Sequence, residues 1–426
     1  MIFDANIIVI GAGAAGLMAA SRLSESGKNV LLIEARDRIG GRIHTIHEGN
    51  QIFEAGAEFI HGNLPHTMKI LEEAGIKYHR SGGRMERSER GEWIKRGAFS
   101  HGWGDLIKKM EEIKEDMVIA DFLNTYFSGD QYIELRQSVK GFAEGFDLAD
   151  ISRASTRALY EEWNNESDDQ YRVKGGFDQL ANFLFEKCLA KGSKLLLGHE
   201  VHRVEWRNGP IRVFTNAGKS FQAEKVLVTI PLGLLQKENK VGSISFDPSL
   251  GHFQESFRDI GYGSIVKILL NFNRPFWEEH KKNLGFIISD QSIPTWWTQA
   301  PLKSNLLTGW LGGPLEKIKR IGENDLLDLS LGSLANIFST SADLLKKQLS
   351  SSHLFNWNED PFSLGGYSYS MPATRNALQQ LKKSISRRLY FAGEALYDGD
   401  SPGTVEAALH SGYEVAGRIE TESYSS

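Results

Sequence analysis

Residues 6–34 read NIIVIGAGAAGLMAASRLSESGKNVLLIE, and the reading of this stretch decides the fold. NIIVI (6–10) is a short β-branched run of the kind that parallel sheets bury on both faces. It runs directly into Gly11, Ala12, Gly13, Ala14, Ala15 and Gly16. LMAASRLSESG (17–27) then has helical periodicity and a C-terminal glycine, Gly27. VLLIE (30–34) is a second buried strand that ends on Glu34. Glycines in this position permit a tight turn, backbone approach to a pyrophosphate and close helix–strand packing. The helix start offers free N–H groups and a positive dipole end to phosphate. Glu34 suits ribose hydroxyls and repels a 2′-phosphate. Strand, glycines, helix, strand and acid in this order indicate dinucleotide binding far more strongly than glycines alone, and a glycine-rich surface turn does not explain them.

ARDRIGGR (35–42) follows, with Ala35, Arg36, Gly40, Gly41 and Arg42. Arginines beside a glycine pair suit a further pyrophosphate contact. No second strand–GxGxxG–helix unit follows; Gly261 and Gly263 precede a strand, not a helix. A flavoprotein fed by a nicotinamide usually needs such a second site, so the electrons are expected to come from the substrate itself.

Composition narrows the class. A chain of 426 residues suggests two domains. With 41% hydrophobic residues, 24% charged residues and 43 glycines, it reads as a soluble globular protein with many tight turns. The formal net charge of −5, without an offsetting basic block, argues against nucleic acid. Cys188 is the only cysteine, which excludes disulfides and cysteine-rich metal sites and fits a reducing cytoplasm. No metal site is expected. The N-terminus is apolar and rich in small residues, but it carries Asp4 instead of the basic start of a signal peptide. No stretch approaches the length of a membrane span, so no membrane anchor is expected.

GSIVKILLNF (263–272) sets Lys267 inside an apolar, β-branched run. Two readings stay open on these residues alone: an edge strand with Lys267 in solvent, or a buried ammonium that needs a partner. RLYFAG (388–393) reads as a buried strand before Glu394. After DGDSPG, the residues Val405, Ala408, Leu409, Ala416 and Ile419 form an apolar stripe on a helix.

The chain resembles the flavin-dependent amine oxidases, the family of monoamine oxidases, polyamine oxidases and flavin-type histone lysine demethylases. The resemblance is carried by VIGAGAAGLMAA, LLIEARDRIGGRIHT, EAGAEFIHG (54–62), VLVTIPLGLLQ (226–236), GYGSIVKILLNFNRPFW (261–277) and LYFAGEALYDGDSPGTVEAALHSGYEVAGRI (389–419), in the family's order. Residues 79–172 match only loosely.

What the resemblance implies is specific. The fold would be α/β: a Rossmann-type, glutathione-reductase-like FAD-binding domain from residues 1–78, 173–245 and 356–426. An α+β substrate domain would come from 79–172 and 246–355. EWIKRGAFSHGWGDLIKKMEEIKEDMVIADFLNTY (92–126) reads mostly helical within it, LGFIISDQSIPTWWTQAPLKSNLLTGWLGG (284–313) reads as sheet, and the tail TESYSS is expected to fray.

FAD would be held by Gly11, Gly13, Ala14, Ala15, Gly16, Glu34, Ala35, Arg36, Gly40, Gly41 and Arg42. Gly56, Ala57, Glu58, Val201, Trp357, Gly393, Glu394, Thr404 and Val405 complete the set, with Glu394 on the ribityl chain and the helix start at Thr404–Val405 aimed at the flavin N1–C2=O edge. Gly366 stands where monoamine oxidases attach flavin to a cysteine, so the FAD is expected to be non-covalent. Lys267 falls where the family keeps a lysine that holds a water at flavin N5, and this favours the buried reading.

Tyr367 would form one wall of the amine site, and Thr404 replaces the second tyrosine of monoamine oxidases. That departure points toward animal polyamine oxidases and the demethylases. Phe59 stands where L-amino-acid oxidases have their carboxylate-binding arginine, and His61 where polyamine oxidases have a residue near the substrate entrance. One of Trp296 and Trp297 would face substrate. Glu161 or Glu162 could bind distal ammonium groups, although an acidic run is more often solvated surface.

The implied reaction takes hydride from the α-carbon of a neutral amine to flavin N5; the imine hydrolyses, and oxygen regenerates the flavin with release of peroxide. A polyamine or other alkylamine is the expected substrate, with oxygen as the other partner and no obligate protein partner. The rival readings are an FAD-dependent dehydrogenase or desaturase of a non-amine substrate and a non-catalytic FAD-stabilised module.

Overall fold

The computed structural model describes residues 3–94, 101–165, 169–207, 209–237, 241–318 and 323–422. The chain divides into two compact units. The first comprises Met1–Tyr78, Val173–Tyr262 and Glu359–Ser426; the second comprises His79–Arg172 and Gly263–Asn358. Residues 246–262, expected in the second domain, cluster with the first unit, because Phe253, Phe257 and Ile260 bury their side chains in its core.

The first unit is built on a mixed sheet. In spatial order its strands are Lys194–Leu196, Val30–Ile33, Ala5–Ile10, Ser220–Val228, Ile211–Thr215, Val201–Glu205 and Ser245–Asp247, and Leu389–Phe391 also pairs with Ser220–Val228. The strands around Ala5–Ile10 are parallel, with Ile8 opposite both Leu31 and Val226. Parallel strands buried on both faces need near-continuous apolar sequence. Ile8, Val9, Val226, Leu227 and Val228 accordingly have no exposed surface.

The Ala14–Glu25 helix packs on the Val405–Thr421 helix. Their crossing is close: a Cβ added at Gly412 would lie 2.2 Å from the Ala15 carbonyl oxygen. Only glycine permits that approach.

The second unit has its own sheet, ordered Leu349–Asn356, Ser264–Phe272, Leu306–Gly313, Thr295–Thr298, Leu284–Ser289, Arg84–Glu89 and Glu92–Ile94. Val266, Ile268, Leu270, Leu307, Leu311 and Trp296 point from one face into an apolar core. The 284–313 segment is the expected sheet. The 92–126 segment departs from its helical reading at Glu92–Ile94, a strand, before the helices Trp103–Glu111 and Ile119–Tyr126. Residues 95–100 of that reading, and 423–426 of the tail, lie outside the described residues. Among the described residues no helix is long and apolar enough to cross a membrane.

Candidate active site

In the first unit the glycine turn has the geometry of a phosphate cradle. Gly11 has φ +102°, a left-handed value that side chains rarely adopt. A Cβ at Gly16 would sit 2.0 Å from the Gly11 carbonyl oxygen, so the helix start is pressed onto the turn. At Gly13 a Cβ would meet nothing within 4 Å. Gly13 is the helix N-cap, has no side-chain cap, and the first turn carries no acid. The helix start thus has no side-chain cap and borders open space at Gly13. Ala14 and Ala15 continue the turn as buried, small side chains.

Gly40 and Gly41 close the other side. The Gly40 N–H donates to the Ala12 carbonyl at 2.8 Å, and a Cβ on Gly41 would lie 3.4 Å from the Gly13 Cα. Thr229, which the sequence reading passed over, pins the turn: its hydroxyl donates to the carbonyls of Ile10 at 2.9 Å and Gly11 at 3.1 Å.

Glu34 is 6% exposed. Its carboxylate accepts from the N–H of Ala12 at 2.7 Å and of Arg36 at 2.9 Å, on different oxygens. Each oxygen keeps a further lone pair, so two ribose hydroxyls could still donate to it. The N–H groups of Gly198 and His199 donate to the carbonyls of Arg36 and Glu34, which brings the start of the Val201–Glu205 strand beside this acid and flanks Ala35.

Arg36, expected at the phosphates, also clasps a distant segment of the first unit. Its guanidinium is held bidentately by Asp360 at 2.8 and 2.6 Å and donates to the Ser363 hydroxyl at 3.2 Å. Burial would raise the Asp360 carboxyl, but the Arg36 hydrogen bonds and charge outweigh it and hold the group below its ordinary range. Arg42 donates to the Gly366 carbonyl and to Glu394 at 2.9 Å. The other Glu394 oxygen accepts from the Ser368 hydroxyl at 2.7 Å. Two arginines of one loop thus brace the 360–366 segment ahead of Tyr367, and Glu394 ties Ser368 just after it.

Gly403, φ +69°, touches the ring: a Cβ there would lie 2.8 Å from Tyr367 Cδ2. Tyr367 and Thr404 are therefore brought together. Thr404 caps the Val405–Thr421 helix, its side chain accepting from the Ala407 N–H at 3.1 Å. The Gly393 N–H donates to the Ser411 hydroxyl at 3.1 Å. Gly56 lies so close to the Arg42 carbonyl that a Cβ would reach 1.8 Å, and the Ala57 N–H donates to that carbonyl at 3.1 Å. Glu58 is buried two residues beyond Gly56. His61 sits near Phe59, ring centroids 6.1 Å apart, and burial pushes its imidazole down to about 4.

The second unit holds Lys267. Its strand lies between two neighbours and is not an edge, and the side chain is 1% exposed. Register sets Lys267 opposite Trp310 on one side and Phe355 on the other. Alternation puts it on the sheet face away from Val266 and Ile268. Its Nζ lies 5.5 Å from the Trp297 ring centroid, a cation–π contact. Trp297 is on the lysine's face; Trp296 points into the apolar core, its N–H bonded to the Ile293 carbonyl at 3.1 Å. The Trp357 N–H donates to the Ile265 carbonyl at 3.2 Å on the lysine's strand, and its side chain is buried. Glu161 is exposed and Glu162 half-buried on the Thr156–Asn165 helix. Among the described residues no group of acids, histidines and cysteine could hold a metal.

The profile of the family described as flavin containing amine oxidoreductase matches residues 14–115 and 91–420. The chain belongs to this family. It is an FAD-dependent amine oxidase, and the glycine turn, the acid at its edge and the uncapped helix start fit that cofactor. The oxidase is 24% identical to polyamine oxidase 4 of Oryza sativa subsp. japonica over 96% of this chain and 88% of that protein. It is 27% identical to lysine-specific histone demethylase 1 homolog 2 of Arabidopsis thaliana over 98% of this chain, but spans only 58% of that protein. Solved putrescine oxidase bound to putrescine superposes with TM-score 0.80, 19% identity and 98% and 99% coverage. Cyclohexylamine oxidase from Brevibacterium oxydans IH-35A superposes with TM-score 0.80 at 20% identity and the same coverage.

Proposed function

We propose that this amine oxidase acts on small aliphatic amines, polyamines foremost, with Lys267 as its catalytic lysine. The observation that carries the reading is Lys267 itself: an ammonium enclosed on an interior strand, with an indole beside it and aromatic neighbours on both flanking strands. FAD held here would supply the two-electron oxidation of the amine, with oxygen as the final acceptor and peroxide and a hydrolysable imine as the products. The protein's part is to bind the amine as its free base, to orient a water with the lysine donors, and to keep the carboxylate of amino acids from finding a cation. Phe59 stands where such a cation would be by resemblance. Tyr367 offers an aromatic wall, with Thr404 next to it, and His61 lines the approach.

The first unit would hold FAD without a covalent bond, through the glycine turn, Ala35 and Arg36, Glu34, the Gly40–Arg42 loop, Gly56–Glu58, Val201, Gly393–Glu394 and the Thr404–Val405 helix start. Cys188 cannot serve as an attachment point while its thiol is buried against the Leu17 carbonyl, where burial pushes it up to about 12. We place the protein in a reducing cytoplasm on its single cysteine.

Anaerobic flavin reduction with diamines, polyamines, acetylated polyamines, aromatic amines, amino acids and methyl-lysine peptide tests the reading. Polyamines should bleach the flavin fastest. Bleaching by the peptide alone would move the protein to the demethylases, and no bleaching by any amine would end the proposal. Acid denaturation should release FAD from the polypeptide.

A further inference from the structure

We infer that Thr308 is a positioning residue for Lys267 and that the two side chains share one buried water. What that water is for rests on the role proposed for Lys267; the pairing itself rests on the second unit's geometry. Lys267 lies directly opposite Trp310, and Leu269 directly opposite Thr308, so all four share a face. Thr308 in turn lies opposite Trp297 on the next strand. The lysine Nζ is 5.5 Å from the Trp297 ring centroid. Trp297 is two strands away, so the lysine chain leans across the Leu306–Gly313 strand along the diagonal that passes Thr308.

Thr308 is 0% exposed, and its Oγ1 has no hydrogen-bond partner among the described residues. A buried hydroxyl left so is costly. The Trp310 indole cannot serve it, because its one N–H is given to the Gly145 carbonyl at 2.7 Å. An ammonium only donates, whereas a hydroxyl donates and accepts. A water between them accepts from Nζ and bonds to Oγ1, which satisfies the hydroxyl and gives the long, flexible lysine chain a second tether. The tether fixes where the remaining ammonium donors point.

Thr308→Val keeps the shape and removes the hydroxyl; Thr308→Ser keeps the hydroxyl. On the FAD-loaded protein, Tm is measured for Thr308→Val, Lys267→Met and the double variant. A shared water makes Thr308→Val lower Tm with Lys267 present, and leave Tm unchanged or raise it in the Lys267→Met background, where the hydroxyl has lost its water's other partner. The pH profile of flavin reduction should also shift in Thr308→Val and return in Thr308→Ser. Equal Tm changes in both backgrounds, or a rise in Tm on removing the hydroxyl with Lys267 present, would overturn the inference. If Lys267→Met leaves both half-reactions at wild-type rates, the catalytic reading fails while the Tm cycle still decides the pairing.

Discussion

Lys267 can be tested at the scale of a single side chain. Methionine preserves bulk on an apolar strand and leaves no unpaired charge, so Lys267→Met should keep the fold and FAD. Turnover should fall on the order of 100-fold, the lower end of what a positioned proton-transfer group contributes. Stopped-flow measurement of flavin reduction and reoxidation would locate the loss; two unchanged rates would remove Lys267 from catalysis. Glu34→Ala leaves the Ala12 and Arg36 N–H groups without their acceptor. At roughly 1.5–3 kcal/mol for a charge-assisted bond, FAD affinity should drop about 10- to 100-fold by equilibrium dialysis. The sequence singles out both residues because each stands inside a motif whose chemistry needs it. It does not single out Asp360, Thr229 or Thr308. Asp360 meets Arg36 from 324 positions away, and no local pattern marks an acid that will clasp a distant arginine. Thr308 acquires meaning only through strand register, which apolar runs leave open.

Elements follow the same division. The buried strand Ala5–Ile10, the helix Ala14–Glu25 and the capped helix Val405–Thr421 declare themselves through β-branched runs, terminal glycine and apolar stripe. The strand Glu92–Ile94 did not, because its hairpin turn hides in Arg90–Gly91, where both residues take positive φ, 53° and 79°. Such a turn normally advertises itself with Asn-Gly or Asp-Gly, and an arginine there gives no warning. Capping makes a direct prediction: Thr404→Ala removes the acceptor of the Ala407 N–H and should cost about 1 kcal/mol of stability in denaturant titration. The helix crossing makes a harsher one. Gly412→Val drives a side chain into the Ala15 backbone, which should cost roughly 1–3 kcal/mol and lower FAD occupancy, since Ala15 belongs to the glycine turn. Full occupancy with unchanged stability would mean that the two helices do not meet as described.

Across the whole molecule, acid should be destabilising by an identifiable route. His61 and His44 both resist protonation, at about 4 against an ordinary 6.5, through burial and, for His44, the nearby Arg38 and Arg36. Between about 6.5 and 4 the unfolded chain binds protons that the folded chain refuses, so stability falls as pH drops through that window and is insensitive to these groups above it. Tm should decline over this range, and His61→Gln should flatten part of the decline; an unaltered slope would exclude His61 as a contributor. The contact between Gly412 and Ala15 also has a consequence during synthesis. The Ala14–Glu25 helix leaves the ribosome long before its partner, Val405–Thr421, has been translated. At about 5–20 residues per second, the wait is roughly 20–80 s. For that time the apolar surfaces of the first strand and helix must be shielded by something other than their native partner. A nascent chain stalled before Val405 would carry a complete GAGAAG turn without the helix that packs on it, so the yield of active protein should depend on chaperones that hold early segments until the last helix arrives.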